Sequence, residues 1–139
     1  MSAIANIVIN DGQATPVSHT FAPVTIDAQG VAKWADRSGG ISVGFPGLSY
    51  SLKSPSGNSK SYKMTAKVTL PVLEQTSPST STGIQPAPTV AYNLIANVEL
   101  VLPERSTLQD RKNLLAYLRN YLANATVITA GAENYETVY

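Results

Sequence analysis

From Ser61 to Val72 apolar and polar positions alternate, with Tyr62, Met64, Ala66, Val68 and Leu70 on one side and Ser61, Lys63, Thr65, Lys67 and Thr69 on the other. Successive side chains of a strand point to opposite faces, so the pattern predicts a half-buried antiparallel strand. The stretch before it repeats the arrangement, Leu48, Tyr50 and Leu52 inward against Ser49, Ser51 and Lys53 outward. The strand after the next loop sets Tyr92, Leu94, Ala96, Val98, Leu100 and Leu102 against Asn93, Ile95, Asn97 and Glu99. One face of the predicted sheet is apolar, and the other is a surface of Lys, Ser, Thr and Asn.

Upstream, Ile4 to Ile9 and Thr15 to Phe21 flank Asn10-Asp11-Gly12, where Asp-Gly supplies the positive φ that a tight hairpin turn needs. A further strand is expected over Val31 to Arg37, with Trp34 on one face and Val31, Lys33 and Arg37 on the other. Ser54-Pro55-Ser56-Gly57-Asn58 marks a turn, and Gln75 to Thr89 is a Ser-, Thr- and Pro-rich loop too long for a simple connection. The period then changes to helical. Ser106 reads as an N-cap with Gln109 at the capping-box position, and Leu108, Leu114, Leu115, Leu118, Tyr121 and Leu122 recur at helical spacing to about Ala123. A second helical segment follows from about Val127 toward Tyr135, interrupted by Gly131.

Strands first and helices last make an α+β chain. The expected plan is an N-terminal β-hairpin (1–22), an antiparallel sheet of about five strands (30–103) and two C-terminal α-helices (106–139), in one domain over 1–139. The apolar stripe of the first helix is wider than one seam. Part of it is expected to lie across a neighbouring subunit, with Leu114, Tyr117, Leu118, Tyr121 and Leu122 as the contact residues.

Charge sharpens the reading of the polar face. The chain is nearly neutral, with ten Lys and Arg against nine Asp and Glu. Yet from Lys33 to Lys67 there are six basic residues (Lys33, Arg37, Lys53, Lys60, Lys63 and Lys67) and one acid, Asp36, a local net charge of +5. A basic surface on a neutral protein suits phosphate contact without indiscriminate binding, although lysines also protect sheet surfaces from aggregation. Charged residues are only 14% of the chain, against a usual share of about 25%, which predicts that part of the surface is covered by another chain.

Catalytic and metal chemistry find little support. There is no cysteine, hence no disulfide framework and no sulfur-based zinc site. His19 is the single histidine, set between Ser18 and Thr20 in a predicted strand, and is read as structural. No Gly-x-Ser-x-Gly elbow and no phosphate-cradling Gly-rich loop appears, and the acids are scattered. No enzyme activity, cofactor or metal is expected. Neither a signal peptide nor a membrane span is evident, which predicts a soluble chain made in a cytosol.

The residues resemble the coat proteins of the small single-stranded RNA bacteriophages, the levivirus family. The likeness runs through Val31-Ala32-Lys33-Trp34, the strand Lys63-Met64-Thr65-Ala66-Lys67-Val68-Thr69-Leu70-Pro71, Asn97-Val98-Glu99-Leu100-Val101-Leu102-Pro103 and Asp110-Arg111-Lys112, and ends at Tyr139. The resemblance implies an interlocked dimer with a continuous sheet, each subunit's helices packed over the sheet of the other. It implies dimers that assemble in the bacterial host cytoplasm into the icosahedral shell of a virion around genomic RNA. In better-known relatives the inward sheet face also grips an operator stem-loop and represses translation. Carried over by position, the RNA-contacting residues are Val31, Ser49, Ser51, Lys53, Thr65, Lys67 and Asn97. Lys33, Lys63 and Glu99 join them on the face defined by alternation.

Two departures stand out. Ile95 occupies the position at which relatives stack an RNA base on tyrosine, a contact worth about 1–3 kcal/mol, so recognition of a particular hairpin is expected to be weaker or different. The basic residue expected near the start of the strand around Leu48 is replaced by Gly47. The loop Gln75 to Thr89 matches the family loop at the five-fold and quasi-six-fold axes, where Pro78, Gly83, Pro86 and Pro88 could limit its conformations without disulfides. The competing reading is a dimeric RNA-binding repressor that builds no shell. Particle size separates the two.

Overall fold

The computed structural model describes residues 2–75 and 81–139. The chain divides into two compact units, Met1–Val101 and Leu102–Tyr139.

The first unit is an antiparallel meander. Strands β1 (Ile7–Asn10), β2 (Ser18–Ile26), β3 (Ala32–Ala35), β4 (Gly47–Lys53), β5 (Ser61–Glu74) and β6 (Thr89–Pro103) follow one another in a six-stranded sheet ordered as in the chain. The N-terminal hairpin is not a separate flap, because β2 runs on past it to pair with β3. A register shift between Pro23 and Thr25 marks the changeover, at a residue with no N–H to give to the ladder. The third predicted strand is shorter than Val31 to Arg37, because Asp27 and Asp36 organise turns at both of its ends.

The hairpin turn differs from the tight Asp-Gly turn that the sequence suggests. Gly12 does not adopt positive φ. Instead a wide turn from Asp11 to Val17 is held by the Asp11 carboxylate, whose Oδ1 accepts from the Val17 N–H at 2.9 Å and the Gln13 N–H at 3.2 Å. Side-chain acceptance of turn amides has replaced backbone permissiveness. Between β3 and β4, a single 3₁₀ turn at Ser42–Gly44 brings Gly44 against β5, where an added Cβ would lie 2.6 Å from Leu73 Cδ1.

Burial within the chain is slight. Among the described residues Phe21 is the one buried hydrophobic side chain, and Asp36 and Ser51 are the buried polar ones. The face read as inward is largely open in the single chain: Tyr50, Leu52, Tyr62, Val68, Leu70, Tyr92 and Leu94 are all exposed. Alternation sorts side chains to a common face but cannot supply what covers it. Trp34 lies on this side, half-buried, with its indole N–H donating to the Ala5 carbonyl at 2.8 Å.

The second unit contains α1 (Leu108–Leu122), a turn of π-helix at Ala125–Thr129, and α2 (Ala130–Asn134). The cap of α1 sits one residue beyond the expected Ser106. Thr107 Oγ1 accepts from the Asp110 N–H at 3.2 Å, and Asp110 Oδ2 accepts from the Thr107 N–H at 3.0 Å and from its hydroxyl at 2.7 Å. Ser106 instead closes the preceding turn, its hydroxyl donating to the Pro103 carbonyl at 2.7 Å. Gln109, with its amide on Asn113 at 2.8 Å, takes no part in the box. Gly131 lies inside α2 and does not interrupt it, and α2 stops at Tyr135, whose φ of 58° is left-handed. No residue of α1 is buried, and Leu114, Leu115, Tyr117, Tyr121 and Leu122 are exposed.

Candidate nucleic-acid interface

Strand register gathers the polar residues into rows. Lys33 lies opposite Ser49, which lies opposite Lys67, while Ser51 pairs with Thr65 and Lys53 with Lys63. Val31 enters at the top of β3, placed by Asp27, whose Oδ1 accepts from the Val31 N–H at 2.9 Å and the Gln29 N–H at 3.0 Å. These bonds, with Val31 first, hold the Asp27 carboxyl below its usual range. On β6, Glu99 joins the same face, its Oε2 3.0 Å from Lys63 Nζ. Asn97, two residues earlier and exposed, shares that face by alternation.

Eight of the ten sequence-predicted residues (Val31, Ser49, Ser51, Lys53, Lys63, Thr65, Lys67 and Glu99) line one shallow concavity of about 330 Å³. Lys33 and Asn97 flank it on the same face and do not line it. Ser51 forms its floor, only 8% exposed, so it shapes the pocket more than it offers a free hydroxyl. Of the six basic residues between 33 and 67, Arg37 lies elsewhere, lining a groove with His19, Asp36 and Ser38. Lys60 belongs to the β4–β5 connection.

The cations of the face are not equivalent. Lys63 is paired with Glu99, and Lys33 reaches Asp27 Oδ2 at 3.6 Å. Among the described residues Lys53 and Lys67 have no ion-pair partner. The opposed lysines Lys53 and Lys63 would repel across the ladder, which the Glu99 carboxylate offsets. The arrangement presents two open ammonium groups around hydroxyl-bearing side chains, a chemistry suited to phosphate oxygens and base edges.

One cluster escaped the sequence reading. His19 Nδ1 lies 2.7 Å from Asp36 Oδ2 and its Nε2 3.2 Å from Asp11 Oδ2, tying the hairpin turn and β2 to the end of β3. Bonding to Asp36, then Asp11, raises the His19 pKa. The Val17 amide first, with Gln13 and His19 assisting, lowers Asp11 to about 2. Asp36 is lowered chiefly by the Ser38 N–H at 2.9 Å. No spacing in the sequence links positions 11, 19 and 36; only strand register brings them together.

A family model described as levivirus coat protein matches residues 2–139. The chain belongs to that family. As a levivirus coat protein it is similar to the capsid protein of Pseudomonas phage PRR1, with 29% identity over 137 residues and 98% of each chain covered. It is also similar to the chain of a virus-like particle of bacteriophage ESE058, with 35% identity, a TM-score of 0.89, and 99% of this chain and 100% of that one covered. A more distant fold relative, 18% identical with a TM-score of 0.65 over 97% of each chain, is described as an unassembled virus coat protein dimer and a bacteriophage RNA-binding dimer. The levivirus coat protein family places this chain among capsid proteins, with a structural role.

Proposed function

We propose that this capsid protein dimerises and closes into an icosahedral shell around single-stranded genomic RNA, with the polar face of β3 to β6 as its RNA contact. The observation that carries the RNA reading is the convergence of Ser49 and Lys53 of β4 with Thr65 and Lys67 of β5 on one concavity of an otherwise neutral chain. One distant fold relative is an RNA-binding coat protein dimer, which agrees with it. Lys33 and Asn97 extend the surface along the same face. Ile95 is exposed on β6 where relatives carry the stacking tyrosine, so general RNA contact is favoured over tight recognition of one operator hairpin.

The dimer proposal draws on what the single chain leaves open. Both the apolar sheet face and the α1 stripe are exposed, including Tyr117 at 70% and Tyr121 at 57%. Burying apolar surface is worth about 25 cal/mol per Å², so two such faces favour a second copy strongly. Leu114, Tyr117, Leu118, Tyr121 and Leu122 of one subunit are assigned to cover the sheet of its partner, joining both sheets into one. The likeness to a virus-like particle supports closure beyond the dimer. Assembly is expected in the bacterial host cytoplasm, with the product in the virion.

Electron microscopy of purified protein, with absorbance at 260 and 280 nm on the same sample, tests the proposal. Uniform closed particles containing RNA are expected. Dimers that bind RNA without closing would favour the repressor alternative, and dimers that ignore RNA would remove the interface altogether. On the RNA side, Lys53→Ala with Lys67→Ala should lower affinity and flatten its salt dependence by about 0.7 logarithmic units per lost phosphate contact, while the dimer stays folded.

A further inference from the structure

We infer that Glu99 is an electrostatic gate on the RNA face, holding Lys63 out of phosphate contact so that Lys53 and Lys67 carry it; this rests on the RNA-contact reading proposed above. Four lysines lie on this face, yet they divide into two kinds. Lys63 Nζ is 3.0 Å from Glu99 Oε2, whereas Lys53 and Lys67 are unpaired among the described residues. The pair is not buried structural packing: the Lys63 side chain is 51% exposed and that of Glu99 50%, both in the concavity where RNA would lie.

The register explains why the carboxylate stays there. Lys53 and Lys63 are directly opposed on β4 and β5, an unfavourable like-charge pair. Glu99 on the neighbouring β6 offsets the repulsion, so the free protein keeps Lys63 paired. A phosphate approaching Lys63 must displace that carboxylate and meets its negative charge. A lysine already neutralised within the protein also has little to gain by replacing condensed counterions, which is where the affinity of phosphate contact arises. The polar side chains Ser49 and Thr65 lose nothing by this. Glu99 therefore lowers the sequence-independent part of binding and raises the relative weight of contacts to bases. Lys33 is held less closely, by Asp27 at 3.6 Å, and its partner lies beyond the concavity.

The test is the salt dependence of binding to a fluorescent single-stranded RNA oligonucleotide of mixed sequence, by anisotropy, with protein freed of RNA. Glu99→Gln keeps the side-chain shape and removes the charge. It should steepen the slope of log K against log salt by about 0.7, which amounts to about fivefold tighter binding at 0.1 M salt. Adding Lys63→Ala in the Glu99→Gln background restores the net charge of the face and removes the freed ammonium, so it should return both slope and affinity to wild-type values. A Glu99→Gln slope equal to wild type, or a steepened slope that Lys63→Ala does not return to the wild-type value, overturns the gate. If wild-type protein shows no salt-dependent RNA binding, the RNA reading fails as well. The two failures are thus distinguishable. Circular dichroism of each variant checks that the sheet is intact, and the rescue by Lys63→Ala excludes a merely structural effect of Glu99.

Discussion

His19 faces two carboxylates, and a neutral imidazole has one N–H while an imidazolium has two. Only the protonated ring can donate to Asp36 and Asp11 together. Its pKa is raised in the folded chain, so its contribution to stability is complete below the ordinary value of 6.5 and is lost as pH rises through the raised one. Asp11, lowered to about 2 from 3.8, contributes fully above 3.8 and less as pH falls toward 2. Thermal unfolding across pH should therefore show the largest gap between wild type and His19→Gln from about pH 4 to 6.5, closing on the alkaline side. A gap constant from pH 6 to 9 would mean that the ring is held by packing rather than by its charge. At this scale the sequence was only half legible. Alternation put Lys33, Lys53, Lys63 and Lys67 on one face, but Asp36, Asp11 and Glu99 acquired their partners through tertiary structure.

Elements tell a similar story in finer detail. The helical period located α1 to within two residues at its start, yet two adjacent hydroxyl residues, Ser106 and Thr107, compete for the cap, and only the geometry of the chain leaving β6 decides between them. Thr107→Ala should cost about 0.5–2 kcal/mol in chemical denaturation, as expected for loss of an N-cap oxygen, while Gln109→Ala should cost much less. Equal losses would return the capping box to Ser106 and Gln109. Gly44 illustrates a constraint that no local pattern signals, since its neighbour Leu73 is on another element. Gly44→Ala should destabilise by about 1–3 kcal/mol through overpacking, with recovery when Leu73 is also shortened to alanine. If Leu73→Ala gives no recovery in the double variant, the close approach is not the cause. The Asp11 turn teaches the same lesson, because an Asp-Gly pair admits both a tight turn and a wide one held by the carboxylate.

For the whole molecule, the largest fact is how little of the apolar surface the chain covers for itself. Such a face, open on a neutral and sparsely charged protein, makes self-association the expected state. The proposed shell adds a role for the loop over Gln75 to Thr89, of which 76–80, including Pro78, lie outside the described residues. Gly83 turns the described part with a φ of 78°. Shortening this loop should leave dimers intact by size-exclusion chromatography but reduce closed particles in micrographs. Normal particle yields from the shortened chain would remove the loop from the symmetry contacts.

Periodicity is a local property of the chain, so the sequence alone determined the order of strands and helices, the two faces of the sheet and the pooling of positive charge on one of them. Resemblance along nearly the whole length then pointed to the coat-protein family. Register is a property of two distant segments at once, so only the tertiary structure decided which lysines face which carboxylates, that Ser51 is a floor rather than a free hydroxyl, and that His19 joins the hairpin to β3. The same reason applies to the apolar face. Alternation can mark side chains for burial, but whether anything in the same chain buries them is settled in three dimensions.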